Sequence, residues 1–249
     1  TNDLINADWL TPLKVYIAKE IDMTGVKKVA GEWSPDAVTE RGMKITGDIV
    51  DEWVAKTMEH FGKPMKTIVF CAGVAHGADL VEQFARKGYN FVSISYKDND
   101  EFKRAAIEDF ARPDTEIHGL IATDILTKGF DVPDVMIGVS ARPFSKSLSS
   151  HIQQMGRVMR ANLEDMEGKP YAVWLDHSGN YLRFRDDWEE VFENGVNELD
   201  EKNWKGQAGG SEGQGELSFS ENFFRPLKSP HFFNRCGTNS AEDMRGTGP

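Results

Sequence analysis

The 249-residue sequence has few cysteines, no long apolar run and no excess of positive charge. Its two cysteines, Cys71 and Cys236, are far apart, and neither belongs to a Cys-x-x-Cys pair. We therefore expect neither a disulfide framework nor a structural zinc site, and a reducing compartment fits this composition. No stretch of about 18 apolar residues is present, so we expect no membrane span and no membrane partner.

The charge balance is acidic, with a formal net charge of −11 at pH 7. This excludes a surface coated with basic patches, so any contact with nucleic acid would be local. The six histidines are scattered without the spacing of metal ligands, and we expect no metal site. The sequence begins with Thr1, from which we expect a fragment or a processed product.

Between residues 47 and 175, short apolar strands alternate with amphipathic helices. A helix is predicted from Asp48, its N-cap, to a C-terminal Gly62. Strands are predicted at residues 67–72, 91–95, 117–123, 135–139 and 171–175. The alternation predicts an α/β fold with a mainly parallel sheet covered by helices on both faces. Ligands of such sheets bind at loops beyond the carboxyl ends of the strands.

The flanking sequence does not continue this alternation. We predict a connector at residues 1–46, the folded domain at 47–185, an acidic helical segment at 186–205 and a flexible tail at 206–249. Within the connector, the alternating pattern of Leu13–Ile17 predicts a short strand. After the last predicted helix–strand unit, residues 181–184 are predicted to form a returning strand.

The most specific pattern is a helix predicted over residues 149–160. Its apolar stripe consists of Leu148, Ile152, Met155 and Met159. Gln153, Arg157 and Arg160 follow the i, i+4, i+7 rule and share a second face, roughly 120° away. A glutamine and two arginines held on one face suit an anionic group such as a phosphate. An arginine pair at this spacing is more often only a solvated face, so the upstream sequence must decide.

A second candidate site is the loop at residues 123–133, which follows the third predicted strand. Gly129 allows the backbone to approach a ligand closely, and Asp131 is able to accept hydrogen bonds from a sugar hydroxyl. Taken alone, the loop is explained more simply as a polar turn with an aspartate cap.

Three segments, in this order, resemble the C-terminal RecA-like domain of superfamily-2 helicases and translocases, the DEAD/DEAH class. Residues 67–73 (TIVFCAG) resemble motif IV, and residues 122–133 (ATDILTKGFDVP) resemble motif V. Residues 153–160 (QQMGRVMR) fit the motif VI pattern Q-x-x-G-R-x-x-R in full. The segments 141–143 (ARP) and 176–179 (DHSG) are similar to the branch of phage and bacterial DNA helicases. The resemblance implies a RecA-like three-layer fold.

The resemblance also implies a role for each matching position. Arg157 and Arg160 would be arginine fingers that reach the β- and γ-phosphates of ATP on a partner domain, with Gln153 near the attacking water. The implied ATP-binding residues are Gly129, Asp131 and Gly156, the last letting the helix pack close. The implied nucleic-acid-binding residues are Gly73, Val74 and Thr123. Gly73 departs from the family pattern, because many relatives carry a hydroxyl residue there.

The 249 residues contain neither a G-x-x-x-x-G-K-[ST] phosphate loop nor an Asp-Glu motif ending a strand. In the family both belong to a first RecA-like domain, which would precede Thr1. We therefore predict the second motor domain of an ATP-dependent DNA helicase or translocase, inactive alone. The resemblance implies ATP and Mg²⁺, held mainly by that first domain of the same polypeptide, and DNA as the track, with RNA as an alternative. It further implies a role in DNA repair or replication in the cytoplasm of a bacterial or phage-infected cell.

Alternative functions stay open at this point. The chain could be a non-catalytic RecA-like module that binds nucleic acid or protein, although such a module would not need both arginine fingers. It could also be the motor part of a restriction enzyme subunit, which a nuclease signature elsewhere in the gene would reveal. A free-standing flavodoxin-like enzyme fits the alternation but has no catalytic constellation in this sequence.

Overall fold

The computed structural model of the chain describes residue 5 and residues 7–123, 132–163 and 168–187. The elements in chain order are β1 (Leu13–Ile17), β2 (Lys28–Val29), β3 (Glu32–Trp33), α1 (Pro35–Met43), α2 (Thr46–Phe61), β4 (Thr67–Cys71), α3 (Val74–Arg86), β5 (Phe91–Ser95), α4 (Asp100–Ala111), β6 (Gly119–Thr123), β7 (Ile137–Ala141), α5 (Leu148–Val158), β8 (Ala172–Asp176) and α6 (Asn180–Arg183).

One parallel sheet forms the centre of the molecule, with the strand order β1-β8-β7-β4-β6-β5. Strands β4, β6, β7 and β8 are buried at every residue, which explains why their sequences are continuous apolar runs. From β4 the chain crosses to the edge strand β5, returns through β6 and then passes to β7 on the other side of β4. The carboxyl ends of β4 and β7 therefore flank the point where the strand order reverses, which is the usual ligand-binding edge of such sheets.

Helices cover both faces of the sheet. On one face, Phe110 of α4 and Val158 of α5 belong to a core cluster with Trp174 of β8. On the other face, Trp53 of α2 and Phe84 of α3 belong to a second cluster. The two clusters make a three-layer α/β fold, and the predicted fold class is confirmed.

Four elements differ from the sequence predictions in their place, their bounds or their type. Strand β1 pairs in parallel with β8 and is therefore an edge strand of the main sheet, while α1 lies where an extended connector was expected. Helix α2 begins at Thr46 with Ile45 as its N-cap, so Asp48 lies in the first turn instead. The predicted returning strand at residues 181–184 is wrong, because Asn180–Arg183 forms the short helix α6.

The turn before α6 explains why no strand forms there. The carboxylate of Asp176 accepts hydrogen bonds from the backbone N–H groups of Ser178 (2.9 Å) and Tyr181 (2.7 Å). Gly179, between them, has a φ of 67°, in the left-handed region that favours glycine. Together these features wind the chain into a helical turn immediately after β8.

Residues 188–249 lie outside the described residues, so the acidic helical segment and the flexible tail stay predictions. The domain limits predicted after residues 46 and 185 likewise stay predictions. None of the described helices is long and apolar enough to cross a membrane.

Candidate functional site

Helix α5 carries most of the motif VI residues, and its buried side determines which of them face outward. His151, Met155 and Val158 are buried on the sheet side of the helix. Gln153 is exposed and Arg157 is partly exposed. Because these two residues are four positions apart, their side chains share the outward face.

Arg160 does not lie on this helix. Helix α5 ends at Val158, and Arg160 forms an isolated antiparallel bridge with Leu10. The prediction that Gln153, Arg157 and Arg160 share one helical face is therefore wrong at its last position. Arg160 is exposed and lies just beyond the last residue of α5. The segment after the helix therefore determines the position of Arg160.

Gly156 lies on the partly exposed part of α5. An added Cβ at this position would meet no atom of the described residues within 4 Å. Close packing against the rest of the described chain therefore does not account for this glycine, and its predicted role in close packing at the ATP site stays a prediction. Gly156 directly precedes Arg157 in the sequence.

A buried lysine closes the carboxyl end of α5. Lys169 is only 4% exposed, and its ammonium group donates hydrogen bonds to the carbonyl oxygens of Pro133 (2.7 Å), Val158 (2.9 Å) and Arg160 (2.6 Å). Burial lowers the pKa of Lys169 to about 7, and the nearby Asp134 carboxylate opposes this shift. Lys169 thus connects the end of motif V with the end of motif VI.

A carboxylate from a distant segment occupies the opposite end of α5. Glu32, on the β2–β3 hairpin, accepts hydrogen bonds from the backbone N–H groups of Ser145 (2.7 Å), Lys146 (2.7 Å) and Ser147 (2.9 Å). The Ser147 hydroxyl donates a further bond of 3.0 Å to the same carboxylate. The sequence reading singled out neither Glu32 nor Lys169, because neither residue belongs to a motif.

The carboxyl end of β4 leads directly into α3 through Gly73 and Val74, both of which are partly exposed. Gly73 is the N-cap of α3, with extended backbone (φ −176°) and no side chain to cap the helix. The first amides of a helix have no partners within the helix, so this end presents backbone N–H groups near the strand terminus. The structure therefore places the predicted motif IV residues where a phosphate could be met by main-chain donors.

The hydroxyl of a threonine on α1 lies beside Gly73. A Cβ built on Gly73 would overlap the Thr39 hydroxyl oxygen. This hydroxyl donates to the carbonyl oxygen of Pro35 (2.9 Å) and lies 3.4 Å from that of Ala72. Sequence reasoning missed Thr39 because it is more than 30 positions away from motif IV and belongs to a predicted connector.

Thr123, the last residue of β6, points inward. It is 1% exposed, and its hydroxyl lies 2.9 Å from the Sγ atom of Cys71. Burial raises the pKa of the Cys71 thiol, as expected for an inert buried cysteine. Any contact of Thr123 with nucleic acid would therefore have to use its main chain.

A cavity of about 280 Å³ lies where the strand order reverses. Its walls include Phe70 and Ala72 of the β4 end, Arg142 after β7, and Gln153 of α5. The cavity also borders the hairpin residue Trp33. Burial lowers the pKa of the Arg142 guanidinium, with Cys71 and Glu32 opposing the shift.

Residues 140–144 and 178–180, which overlap the segments 141–143 and 176–179, form one hydrogen-bonded unit beside this cavity. Asn180 accepts a hydrogen bond from the Phe144 N–H (2.8 Å) and donates one to the Arg142 carbonyl oxygen (2.9 Å). The hydroxyls of Ser140 and Ser178 lie 2.8 Å apart. These bonds fix the loop that leads from β7 into α5.

Two predicted ATP-binding residues, Gly129 and Asp131, lie outside the described residues, so their placement stays a prediction. Within the described part of the chain, no group of three or more His, Cys, Asp or Glu side chains is arranged to hold a metal ion. The described residues therefore offer no such cluster of ligands for Mg²⁺.

Comparison with known proteins identifies the class of this domain. Residues 50–162 match the family described as the helicase conserved C-terminal domain. Residues 50–162 thus match a helicase C-terminal domain, and the resemblance predicted from motifs IV, V and VI is confirmed.

Individual relatives cover different parts of the chain. The 51.5 kDa protein of Lactococcus phage (isolate 7-9) is 26% identical over 206 residues, which are 80% of this chain and 43% of the phage protein. The pre-mRNA-splicing ATP-dependent RNA helicase PRP28 of Cryptococcus neoformans is 31% identical over 136 residues, 53% of this chain and 18% of that protein. The chain spans less than half the length of these relatives.

A solved structure with the same fold is a fragment of an HsdR subunit of a type I restriction enzyme from Vibrio vulnificus YJ016. It superimposes with a TM-score of 0.54 at 20% sequence identity, covering 71% of this chain and 33% of the fragment. At this identity the similarity establishes the fold of the described domain.

Proposed function

We propose that this chain is the second motor domain of an ATP-dependent DNA helicase or translocase. In this role Gln153, Arg157 and Arg160 complete an ATPase site whose nucleotide is held by a first RecA-like domain of the same polypeptide. The observation that carries the proposal is the complete motif VI pattern at residues 153–160, which begins on α5 and ends just beyond it. It occurs in a chain whose residues 50–162 match the helicase C-terminal domain and whose 249 residues contain no phosphate loop. Arg157 is partly exposed in the last turn of α5, and the exposed Arg160 follows its end.

The chemistry of these side chains suits phosphoryl transfer. Arginine is always charged and offers paired N–H donors that match phosphate oxygens. Supplied from outside the nucleotide-binding domain, such a group neutralises charge that develops on the transferred phosphoryl group. Gln153 shares the outward face with Arg157, so it is suited to orient the attacking water. ATP binding through Gly129, Asp131 and Gly156 completes the proposal, with Mg²⁺ held by the first domain.

Nucleic acid is proposed to run along the carboxyl end of β4. Gly73 and Val74 present the amino end of α3, and Thr39 adds a hydroxyl beside them. Thr123 would contribute through its main chain. Main-chain and hydroxyl contacts bind the phosphate backbone without reading bases, which suits an acidic protein with a net charge of −11. The choice of DNA over RNA rests on the similarity of segments 141–143 and 176–179 to the DNA helicase branch.

The proposal includes the kind of cell and the process in which the protein acts. The phage relative supports a function in a bacterial or phage-infected cell, and the DNA helicase branch supports work in DNA repair or replication in the cytoplasm.

Measurements of ATP hydrolysis test the division of labour between domains. We expect no nucleic-acid-stimulated hydrolysis from the 249-residue chain alone, and robust hydrolysis once it is joined to a domain with a phosphate loop. Single-stranded DNA and RNA, compared as activators of the joined protein, decide the nature of the track. Stimulated hydrolysis by the chain alone, abolished by Arg157→Ala, would show that the site is not divided. A joined protein that binds strands but hydrolyses no ATP would identify a non-catalytic binding module.

Removing the hydroxyl of Thr39 tests the proposed nucleic-acid track. Thr39→Val keeps the shape of the side chain, so the expected weakening of strand binding is about three- to tenfold, as for one lost hydrogen bond. Fluorescence anisotropy of a labelled single strand with the joined protein measures it. The double substitution Thr39→Ala with Gly73→Ser moves the hydroxyl to residue 73 and should recover affinity.

The control for this test is Thr115→Val, which removes a hydroxyl before β6, at the opposite edge of the sheet. Its strand affinity should equal that of the natural sequence. If Thr39→Val binds as tightly as Thr115→Val, Thr39 is not part of the track.

A further inference from the structure

Both ends of α5 are held by a charged side chain from outside the helix. Glu32 holds the amino end through four hydrogen bonds of 2.7–3.0 Å to residues 145–147. Lys169 holds the carboxyl end through bonds to the carbonyl oxygens of Val158 (2.9 Å) and Arg160 (2.6 Å). Both residues lie outside the region, 50–162, that matches the helicase family.

The sign of each charge matches the helix end that it contacts. The amino end of a helix carries a partial positive charge and the carboxyl end a partial negative charge. A carboxylate at residues 145–147 and an ammonium group at Val158 are therefore both favourable. Ser147, the N-cap of α5, makes no capping bond to the helix with its own side chain. The Glu32 carboxylate instead fixes the residues that lead into the helix, because it accepts hydrogen bonds from the N–H groups of residues 145–147.

The carboxyl-end contact reaches beyond the helix. Three carbonyl oxygens surround the Nζ atom of Lys169, and only the ammonium form has three N–H donors for them. One of the three belongs to Arg160, which follows the helix, and another belongs to Pro133 at the end of motif V. The position of the Arg160 backbone is therefore tied to Lys169 directly.

We propose that Glu32 and Lys169 are positioning residues of the ATPase site, which together set the direction in which Gln153, Arg157 and Arg160 point. This inference rests on the function proposed above for these three residues. Glu32 fixes the start of α5, and Lys169 fixes its end and the finger that follows. In this proposal neither residue contacts the nucleotide.

Steady-state ATP hydrolysis by the joined two-domain protein tests this proposal. Glu32→Gln and Lys169→Met are each expected to lower kcat roughly 100-fold, because a displacement of about 1 Å at a reacting group has an effect of that size. The KM for ATP should stay within about threefold, because the nucleotide is bound mainly by the other domain.

Matched controls remove similar charges from other helix ends. Lys66→Met is the control for Lys169→Met, since Lys66 donates to the carbonyl oxygens of Ala111 (3.2 Å) and Arg112 (3.0 Å) at the end of α4. Asp48→Asn is the control for Glu32→Gln, since Asp48 lies in the first turn of α2. Both controls should keep the kcat of the natural protein.

A double-mutant cycle separates positioning from a general loss of stability. If Lys169 acts through Arg160, Lys169→Met should lower single-turnover hydrolysis by no more than about twofold in an Arg160→Ala background. The same holds for Glu32→Gln in an Arg157→Ala background. Multiplicative losses, or a kcat within about twofold of the natural protein for either single variant, would overturn the proposal.

A variant that does not fold and a failure of the proposed function itself are distinguished as follows. If Lys169→Met does not fold, Glu32→Gln alone decides, because Glu32 lies on a partly exposed hairpin. If Arg157→Ala and Arg160→Ala leave kcat unchanged, the proposed function itself fails. In that case hydrogen exchange of residues 155–161 still tests the contact: unchanged exchange in Lys169→Met would show that Lys169 does not hold this end of the helix.

Discussion

Arg157→Ala is expected to lower the kcat for ATP of the joined two-domain protein by roughly 10³- to 10⁵-fold, the range known for arginine fingers. The side chain lies on the outward face of α5, in the same face as Gln153. Its charge would act mainly on the transition state, where negative charge spreads over the phosphoryl oxygens. The KM for ATP should therefore change far less than kcat. Arg160→Ala is expected to have an effect in the same range.

Two further variants make this test specific. Arg157→Lys retains the charge but loses the paired N–H donors, so it should recover only part of the activity. Arg112→Ala is the control, because Arg112 is an exposed arginine at the end of α4 that pairs with Asp114 at 2.8 Å. Its kcat should not change. A loss of less than about tenfold in a folded Arg157→Ala protein would contradict the arginine-finger role.

The sequence was sufficient to predict the centre of the fold. Strands such as Thr67–Cys71 and Ala172–Asp176 are buried on both faces. Their sequences are therefore largely continuous apolar runs with turn-forming residues on either side. Helix α2 ends as predicted, with Gly62 just past its last residue at a φ of 67°. Local chemistry determines these features, and local chemistry is what a sequence pattern records.

The surroundings of the site could not be predicted in this way. Glu32 contacts Ser145 across 113 positions of sequence, and no periodicity relates the two. Arg160 was predicted to be helical because its spacing continues that of Arg157. In the structure the helix ends at Val158, where Lys169 donates hydrogen bonds to the carbonyl oxygens of Val158 and Arg160. Motif patterns identify the reacting side chains, whereas the contacts that position them come from segments without a motif.

Buried histidines give the fold a pronounced dependence on pH. His76, His151 and His177 are each 0% exposed, and burial lowers the pKa of each to about 4 from an ordinary value of 6.5. The neighbouring Arg183 lowers the pKa of His151 further, while Asp79 opposes the shift at His76. All three histidines are therefore neutral in the folded protein near neutral pH.

The direction of the pH effect follows from proton binding. Between pH 6.5 and pH 4 the unfolded chain binds these protons and the folded chain does not, so the free energy of unfolding falls as the pH falls. Above pH 6.5 both states are neutral at these positions, and the contribution is constant. Asp176 acts in the opposite direction, because burial raises the pKa of its carboxyl group and the folded state takes up that proton first.

The expected loss of folding stability in acid is large. Each histidine contributes roughly 3 kcal/mol by pH 4, so the three together approach roughly 10 kcal/mol, which is comparable to the whole stability of a domain. Urea unfolding of the chain, followed by tryptophan fluorescence across the range from pH 6.5 to pH 4, should show the midpoint falling steeply. A free energy of unfolding that changes by less than about 1 kcal/mol over this range would contradict the prediction.

One substitution assigns part of this effect to a single residue. The ring nitrogens of His151 have no hydrogen-bond partner in the described part of the chain, and its ring lies 6.1 Å from Trp174 and 6.0 Å from Phe184. His151→Phe should therefore fit the apolar site and remove about one third of the pH dependence. Met155→Leu, a buried change on the same helix, should alter stability equally at every pH. If His151→Phe unfolds with the same pH dependence as Met155→Leu, His151 is not one of the groups that destabilise the fold in acid.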